Sequence, residues 1–361
     1  TRFKAAGAVI LGKTNVPEFL WAAETDNAVY GRTNNPYDLD RSPNGSSGGE
    51  AAIIAAAGSP LGVGSDAGGS IRAPAHFCGI AGLKPTHGRV PLTGTLMPAL
   101  PVISRLDAAG PMARYVRDLE IGLRVLSGPN GSDPYCAPIP LRDYRSVPLK
   151  DLRIAFFTKD ALIEPTAEIQ AAVQKAADLL TRAGARVEFE VPPGFEATND
   201  LAIALLAEDL EIGLRKAAKS ANTEKLDPLL SEVLDIWQRL MRKLGDNTPA
   251  ASFERHTRWH KWRCDLLAFF QRYDAIICPP DVTPAFKHGE SLQIGDTFKG
   301  FEYASAFNLS GSPAAVVRCS ATTDGLPIGV QIVGPHWRED IVLAIAEAIE
   351  VEYGGWKPPP L

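Results

Sequence analysis

The sequence predicts an α/β protein built on a large mixed, mostly parallel sheet covered by helices on both faces. Three observations carry this reading. Residues 152–191 alternate a strand pattern, a helix pattern and a second strand pattern, the sign of a βαβ unit. Short apolar runs at Ala275–Cys278, Ala314–Val317 and Ile328–Val333 are bounded by Pro or Gly, as buried strands are. Amphipathic stretches over residues 112–126 and 339–350 have the one-sided apolar spacing of covering helices.

In chain order, Lys4 to Leu11 reads as the end of a helix followed by a buried strand, Ala8–Leu11, that turns at Gly12. Pro, Asn and Gly crowd residues 34–49 into a long irregular segment. Small apolar residues at Ala51–Ala57 then suggest a short helix. Residues 77–90 carry Gly79, Gly82, Pro85 and Gly88 and are too punctuated for a long helix. Met112, Val116, Leu119, Leu123 and Leu126 recur at helical spacing, and Gly128 with Pro129 closes the run. A Pro-rich connection over residues 135–147 leads into the βαβ unit: strand Leu152–Phe157, helix Thr166–Arg182 with Ile169, Val173, Ala176 and Leu180 on one face, and strand Val187–Val191. Gly184 suits the helix C-terminus. Residues 197–275 are mostly helical and hold Trp237, Trp259, Trp262, Phe269 and Phe270, which pack a core or wall a substrate pocket.

Composition narrows the function. The 361 residues are 45% apolar and 22% charged with a net charge of −5, which fits one globular enzyme domain over residues 1–361 and gives no basic footprint for nucleic acid. No apolar run reaches membrane-spanning length. The cysteines Cys78, Cys136, Cys264, Cys278 and Cys319 are scattered, odd in number and never at CxxC spacing. They read as small buried apolar residues in a reducing, cytoplasmic compartment, with no metal or organic cofactor implied. The chain opens on TRFKAAGAVILGKTN with no methionine before Met97, which suggests an N-terminally shortened piece of a longer protein.

The chemistry concentrates between Pro43 and Ala75, PNGSSGGEAAIIAAAGSPLGVGSDAGGSIRAPA. Two glycine-flanked serines, Ser46 and Ser70, bracket the small-residue helix, which brings both hydroxyls back to one place. Glycines before Ser70 leave the N–H groups of Ala67, Gly68, Gly69 and Ser70 unencumbered, as an oxyanion site requires. Asp66 and Arg72 flank the segment as a charge pair that braces it.

With GSSGG at 45–49 and GVGSDAGGSIRAPA at 62–75, together with GKTNVPEF, ETDN, CGIAGLKPTHGRVP, DAAGPMARYVRDL, CPPDVTPAF and GLPIGVQIVGP, the chain resembles the amidase signature family of serine hydrolases over nearly its whole length. The resemblance implies the amidase signature fold, and a Ser-Ser-Lys triad in which Ser70 is the nucleophile and Ser46, following a cis peptide bond, relays the proton. It implies a supporting role for Ser47. It places the lysine upstream of the segment resembling AAGAVILGKTN, so the catalytic lysine is absent from residues 1–361. Lys13 and Lys84 match family positions that are structural. Asn44 replaces the glycine usual before GSSGG.

The implied activity is hydrolysis of a small linear carboxylic amide to acid and amine, by a protein that is a possible homodimer. A glutamine-hydrolysing amidotransferase subunit of the same family is the nearest alternative, but such subunits usually read SIRQP where this chain has Ala73. The segments ETDN and HFCG lean towards bacterial amidases similar to fatty-acid amide hydrolases. A non-catalytic protein that kept the fold without the base is a third reading. Two formal motif matches are weaker. GSSGG fits a nucleophile elbow with Ser47 as nucleophile and His336 as base, yet no apolar strand precedes it. Gly62, Gly64 and Gly68 resemble a dinucleotide loop but lack its spacing and its downstream acid.

Overall fold

The computed structural model describes residues 1–95, 100–160, 163–220, 225–244, 248–292 and 301–360, so Met97 lies outside the described residues. Among them, helices α1 (Arg2–Ala5), α2 (Gly48–Ala55), α3 (Arg72–Phe77), α4 (Ile103–Leu106), α5 (Val116–Leu126), α6 (Ala167–Arg182), α7 (Thr198–Ser220), α8 (Pro228–Leu244), α9 (Pro249–Phe269), α10 (Glu302–Ser310) and α11 (Glu339–Tyr353) surround one sheet. Its strands are β1 (Leu61–Ser65), β2 (Ala81–Lys84), β3 (Ala109–Ala113), β4 (Arg153–Phe156), β5 (Arg186–Phe189), β6 (Ala275–Cys278), β7 (Ala314–Ala321) and β8 (Pro327–Val333), in the order β1-β3-β2-β7-β8-β6-β4-β5.

The sheet is mixed, as expected, but it is mostly antiparallel. Only β4–β5 and β4–β6 pair in parallel, while β1–β3, β2–β3, β2–β7, β6–β8 and β7–β8 are antiparallel. Parallel pairing is confined to where a helical crossover exists, through α6 to β5 and through α7–α9 to β6. Strands β7 and β8 form a hairpin closed by Asp324-Gly325, with Gly325 at φ +92°.

Side-chain alternation along the strands feeds two cores. Ala275 and Ile277 of β6 pack towards α5, α6 and α11, whereas Ile276 and Cys278 pack towards α7–α10. Helices therefore cover both faces, and Ile169, Val173, Ala176 and Leu180 are fully buried on α6. Residues 197–275 are mostly helical, as expected, in α7, α8 and α9 before β6 begins, with 221–224 and 245–247 outside the described residues. Trp259 and Trp262 anchor that layer by donating their indole N–H groups to the Leu309 and Ala306 carbonyls of α10, at 2.7 and 3.1 Å.

Three local expectations are corrected. Residues 8–11 form no strand: Val9, Ile10 and Leu11 are exposed, and no described strand pairs with them. Met112 belongs to β3, not to the helix after it. Met112 pairs with Gly62 and Gly82 on its two sides, so ladder pairing, which apolar spacing alone does not reveal, fixes it as strand. Of the five free cysteines, Cys78, Cys278 and Cys319 are buried, but Cys136 is half-buried and Cys264 is exposed on α9.

Candidate active site

The irregular run before α2 is held by side chains standing in for missing backbone pairs. Asn35 donates its amide to the Ser42 and Phe77 carbonyls at 3.2 and 2.9 Å and accepts from the Tyr37 N–H. Asn44 sits at φ +64°, a conformation asparagine tolerates better than most residues, which accounts for its standing where glycine is usual. Its side chain accepts from the Gly45 N–H at 2.7 Å, and its carbonyl accepts from the Thr25 hydroxyl at 2.9 Å. The Gly45–Ser46 peptide that follows is cis. Ser46 and Ser47 are both buried.

The second serine segment leaves the sheet at the end of β1 and enters α3. Between them, the N–H groups of Ala67, Gly68, Gly69 and Ser70 have no acceptor among the described residues. Gly69 is required here. At φ +144° it passes so close to Phe301 and Ala304 that a Cβ would lie 2.8 and 2.9 Å from their side chains. The two segments are tied directly, because the Ser47 N–H donates to the Ser70 carbonyl at 3.2 Å. The Ser47 hydroxyl faces the backbone of Ser65, 3.4 Å from both its N–H and its carbonyl.

Ser46, Ala67, Gly68 and Ser70 open onto one cavity. Its wall is largely apolar, with Phe19, Trp21, Ile103, Ile203 and Trp237 among the lining residues, so α4, α7 and α8 all contribute. Polar residues interrupt that wall, Asp107, Asn199 and Ser305 among them. One Asp107 oxygen accepts from the Asp66 N–H at 3.1 Å. Burial, then the neighbouring Asp66 carboxylate, raises the Asp107 carboxyl to about 6.

Behind the cavity, Asp66 and Arg72 form a fully buried ion pair with contacts of 2.8 and 3.0 Å. Burial alone would push the Asp66 carboxyl up, but the Arg72 guanidinium more than offsets this and holds it at about 2. Asp66 also accepts from the Ile71 N–H at 3.1 Å, which fixes the turn that carries Ser70. Two partners in this network escaped the sequence reading. Asn308 receives Arg72 at 2.5 Å and donates to the Asp66 and Leu106 carbonyls, and Gln331 receives Arg72 at 2.6 Å. A lone glutamine in the apolar run PIGVQIV was the available signal for the latter.

The remaining motif residues stand elsewhere. Lys13 is exposed and does not line the cavity. Lys84 is buried, and its ammonium donates to the Ser312 and Pro85 carbonyls. Burial, then Arg72, lowers it to about 7. His336 binds the Ser310 carbonyl at 2.8 Å, so GSSGG is not an elbow served by that histidine. Gly62 and Gly64 lie within β1, which rules out a phosphate loop there. Among the described residues, no three His, Cys, Asp or Glu side chains converge as metal ligands would, and no helix is long and apolar enough to cross a membrane.

A mixed sheet that presents two serines and a row of unpaired backbone N–H groups to one cavity defines an amidase-class α/β protein. Residues 1–343 match the Amidase family, and the chain belongs to it, within the amidase signature enzymes. It is 35% identical to a glutamyl-tRNA(Gln) amidotransferase subunit of Roseiflexus castenholzii over 97% of this chain and 74% of that protein. Among solved structures it resembles a 6-aminohexanoate cyclic dimer hydrolase, at a TM-score of 0.85 and 28% identity over 98% of this chain and 77% of that one. The corresponding glutamyl-tRNA(Gln) amidotransferase subunit of Thermotoga maritima superposes at 0.81, with 28% identity over 99% and 78% of the two chains.

Proposed function

We propose that the protein hydrolyses a linear carboxylic amide to acid and amine through an acyl-enzyme on Ser70. The observation that supports this most is the shared cavity, onto which Ser46, Ser70, Ala67 and Gly68 open, within a row of N–H groups that have no acceptor among the described residues. The Ser70 hydroxyl attacks the amide carbon, and its proton passes to Ser46 as the Ser46 proton passes to a base. The carbonyl oxygen, now an oxyanion, is held by the N–H groups of Ala67, Gly68, Gly69 and Ser70. The proton returns through Ser46 to the nitrogen as the C–N bond breaks, and water then cleaves the ester. Each oxyanion donor is worth about 2.7–4 kcal/mol of barrier. Ser47, Asp66 and Arg72 keep the two serine segments in register.

The resemblance implies a neutral lysine as the base. Among the described residues no lysine lines the cavity, and we expect residues 1–361 on their own to hydrolyse amides poorly, since losing one member of a coupled unit costs nearly as much as losing all. A glutamine-hydrolysing subunit is the second reading, favoured by the names of the curated relatives. The apolar wall of Phe19, Trp21, Ile103 and Trp237 instead suits an apolar amide.

The test is fluorophosphonate labelling of the natural full-length protein, followed by peptide mapping and turnover assays on glutamine and on an aryl-alkyl amide. Labelling at Ser70, its loss in Ser70→Ala, and a fall in turnover of roughly 10³-fold or more in that variant are expected. Glutamine as the better substrate would favour the second reading. No labelling of a folded protein would move it to the non-catalytic class.

A further inference from the structure

Ser305 is 4% exposed and lines the cavity, yet among the described residues its hydroxyl has no hydrogen-bond partner. A buried hydroxyl left unpaired costs stability unless something else satisfies it. Asp107 raises a related question. Its buried carboxylate accepts from the Asp66 backbone N–H, but among the described residues no Lys, Arg or His forms an ion pair with it.

Ser305 and Asp107 both line the cavity, and the segments that carry them are tied to each other. Asn308, one helical turn beyond Ser305 on α10, donates to the Leu106 carbonyl at 3.1 Å, immediately before Asp107. Asp107 in turn bonds the N–H of Asp66, the residue directly before Ala67. The Asp107 carboxylate is thus bonded to the residue just before the first of the Ala67–Ser70 N–H groups, and the Ser305 hydroxyl, also able to accept, lines the same cavity.

We propose that Asp107 and Ser305 form a specificity subsite that binds an amino group carried on the acyl side of the substrate, next to the scissile carbonyl. The inference rests on the amide-hydrolase reading above. In that reading the carbonyl oxygen faces the Ala67–Ser70 N–H row and the leaving nitrogen must face Ser46 to receive its proton. The donor that reaches Asp107 and Ser305 therefore belongs to the acyl part. The preferred substrate class is an α-amino amide with an apolar side chain, its ammonium held by Asp107 and Ser305 and its side chain against Ile103, Ile203 and Trp237. The same carboxylate would stand unpaired against an acyl chain lacking the donor, so it also selects against simple fatty amides.

The test compares phenylalaninamide with its twin lacking the amino group, by calorimetric binding to the full-length Ser70→Ala protein, in which turnover is removed. A charge-assisted hydrogen bond predicts about tenfold tighter binding of the amino amide. In the added background of Asp107→Asn that advantage should fall to about threefold or less, and in Ser305→Ala by a few fold, while the affinity of the twin is kept and reports an intact fold. Equal affinity for the two amides, no measurable binding of the amino amide, or an advantage that survives Asp107→Asn overturns the proposal. Failure of Ser70 as the nucleophile is read separately, from wild-type turnover.

Discussion

The two ends of the sheet are built by opposite rules. At one end β1, β3 and β2 are short and glycine-bearing, LGVGS, AGPMA and AGLK, and the segments around them carry Ser46 before α2, Ser70 after β1 and Asp107 before β3. That end is held by hydrogen bonds and a buried ion pair. At the other end β4, α6 and β5 pack Ile154, Ile169, Val173 and Leu180 into a continuous apolar core and bring nothing to the cavity. The difference follows from what each region must do. An acyl-transfer site needs backbone close to backbone and N–H groups left free, which excludes bulky side chains. A stabilising layer needs apolar area removed from water, which demands them.

The sharpest way to break this comparison is to remove the charge at the centre of the first region. Arg72→Met leaves the Asp66 carboxylate buried without its partner, and Asn308 and Gln331 lose theirs. Removing one member of such a pair costs about 3–5 kcal/mol. Urea unfolding should show that loss, and kcat/KM at temperatures where the variant is folded should fall as well, because Asp66 orients the Ser70 turn. A variant with full activity per folded molecule would detach the network from the site.

Leu180→Ala is the counterpart in the second region. The side chain is fully buried on α6, and its truncation should cost about 2–4 kcal/mol through lost burial and a residual cavity. Activity per folded molecule should not change. The pair of variants separates the regions only if stability falls in both and kcat/KM falls in one.

A smaller effect is expected where the first region is tightest. In β3 a Cβ on Gly110 would lie 2.0 Å from the Leu83 carbonyl oxygen, which is backbone and has nowhere to yield. Gly110→Ala should cost about 1–3 kcal/mol by forcing β2 and β3 apart. The check is the unfolding midpoint measured beside Gly68→Ala, whose Cβ would meet nothing within 4 Å.

The same contrast explains what was legible. The βαβ unit, α11 and the aromatic helices could be read from periodicity, since Ile169, Val173, Ala176 and Leu180 repeat at the spacing that burial imposes. Strands β1, β2 and β3 could not, because glycine and alanine carry too little apolar contrast to show alternation. Missing them turned a mostly antiparallel sheet into an expected parallel one. Ser46, Ser70, Asp66 and Arg72 were legible as motif residues despite that. Asn308 and Gln331 come from α10 and β8, far along the chain, and only folding shows that they meet Arg72. Ser305 gave no pattern at all, and Asp107, though it opens the motif DAAGPMARYVRDL, gave no sign that it faces the cavity.

Acid acts on the first region through its buried ion pair and, among the described residues, has no such handle in the second. Asp66 is held at about 2 in the fold, below the ordinary 3.8. A depressed carboxyl contributes stability that is present above the unfolded value and is lost as pH falls through the folded one, here between about pH 4 and pH 2. The contribution is on the order of 2 kcal/mol. Other carboxylates titrate in the same window, so the wild type alone does not isolate it, but the difference between wild type and Arg72→Met does. In the variant the Arg72 partner is gone, and although Lys84 and Asn308 still favour the carboxylate, burial, the largest influence, raises the Asp66 carboxyl relative to the wild type, and protonation then relieves the buried charge. The stability gap between the two proteins should therefore narrow as pH is lowered from about 6 towards 3, read from urea midpoints at each pH. A gap that stays constant would mean that Asp66 does not titrate against Arg72, and that the first region is held by packing like the second.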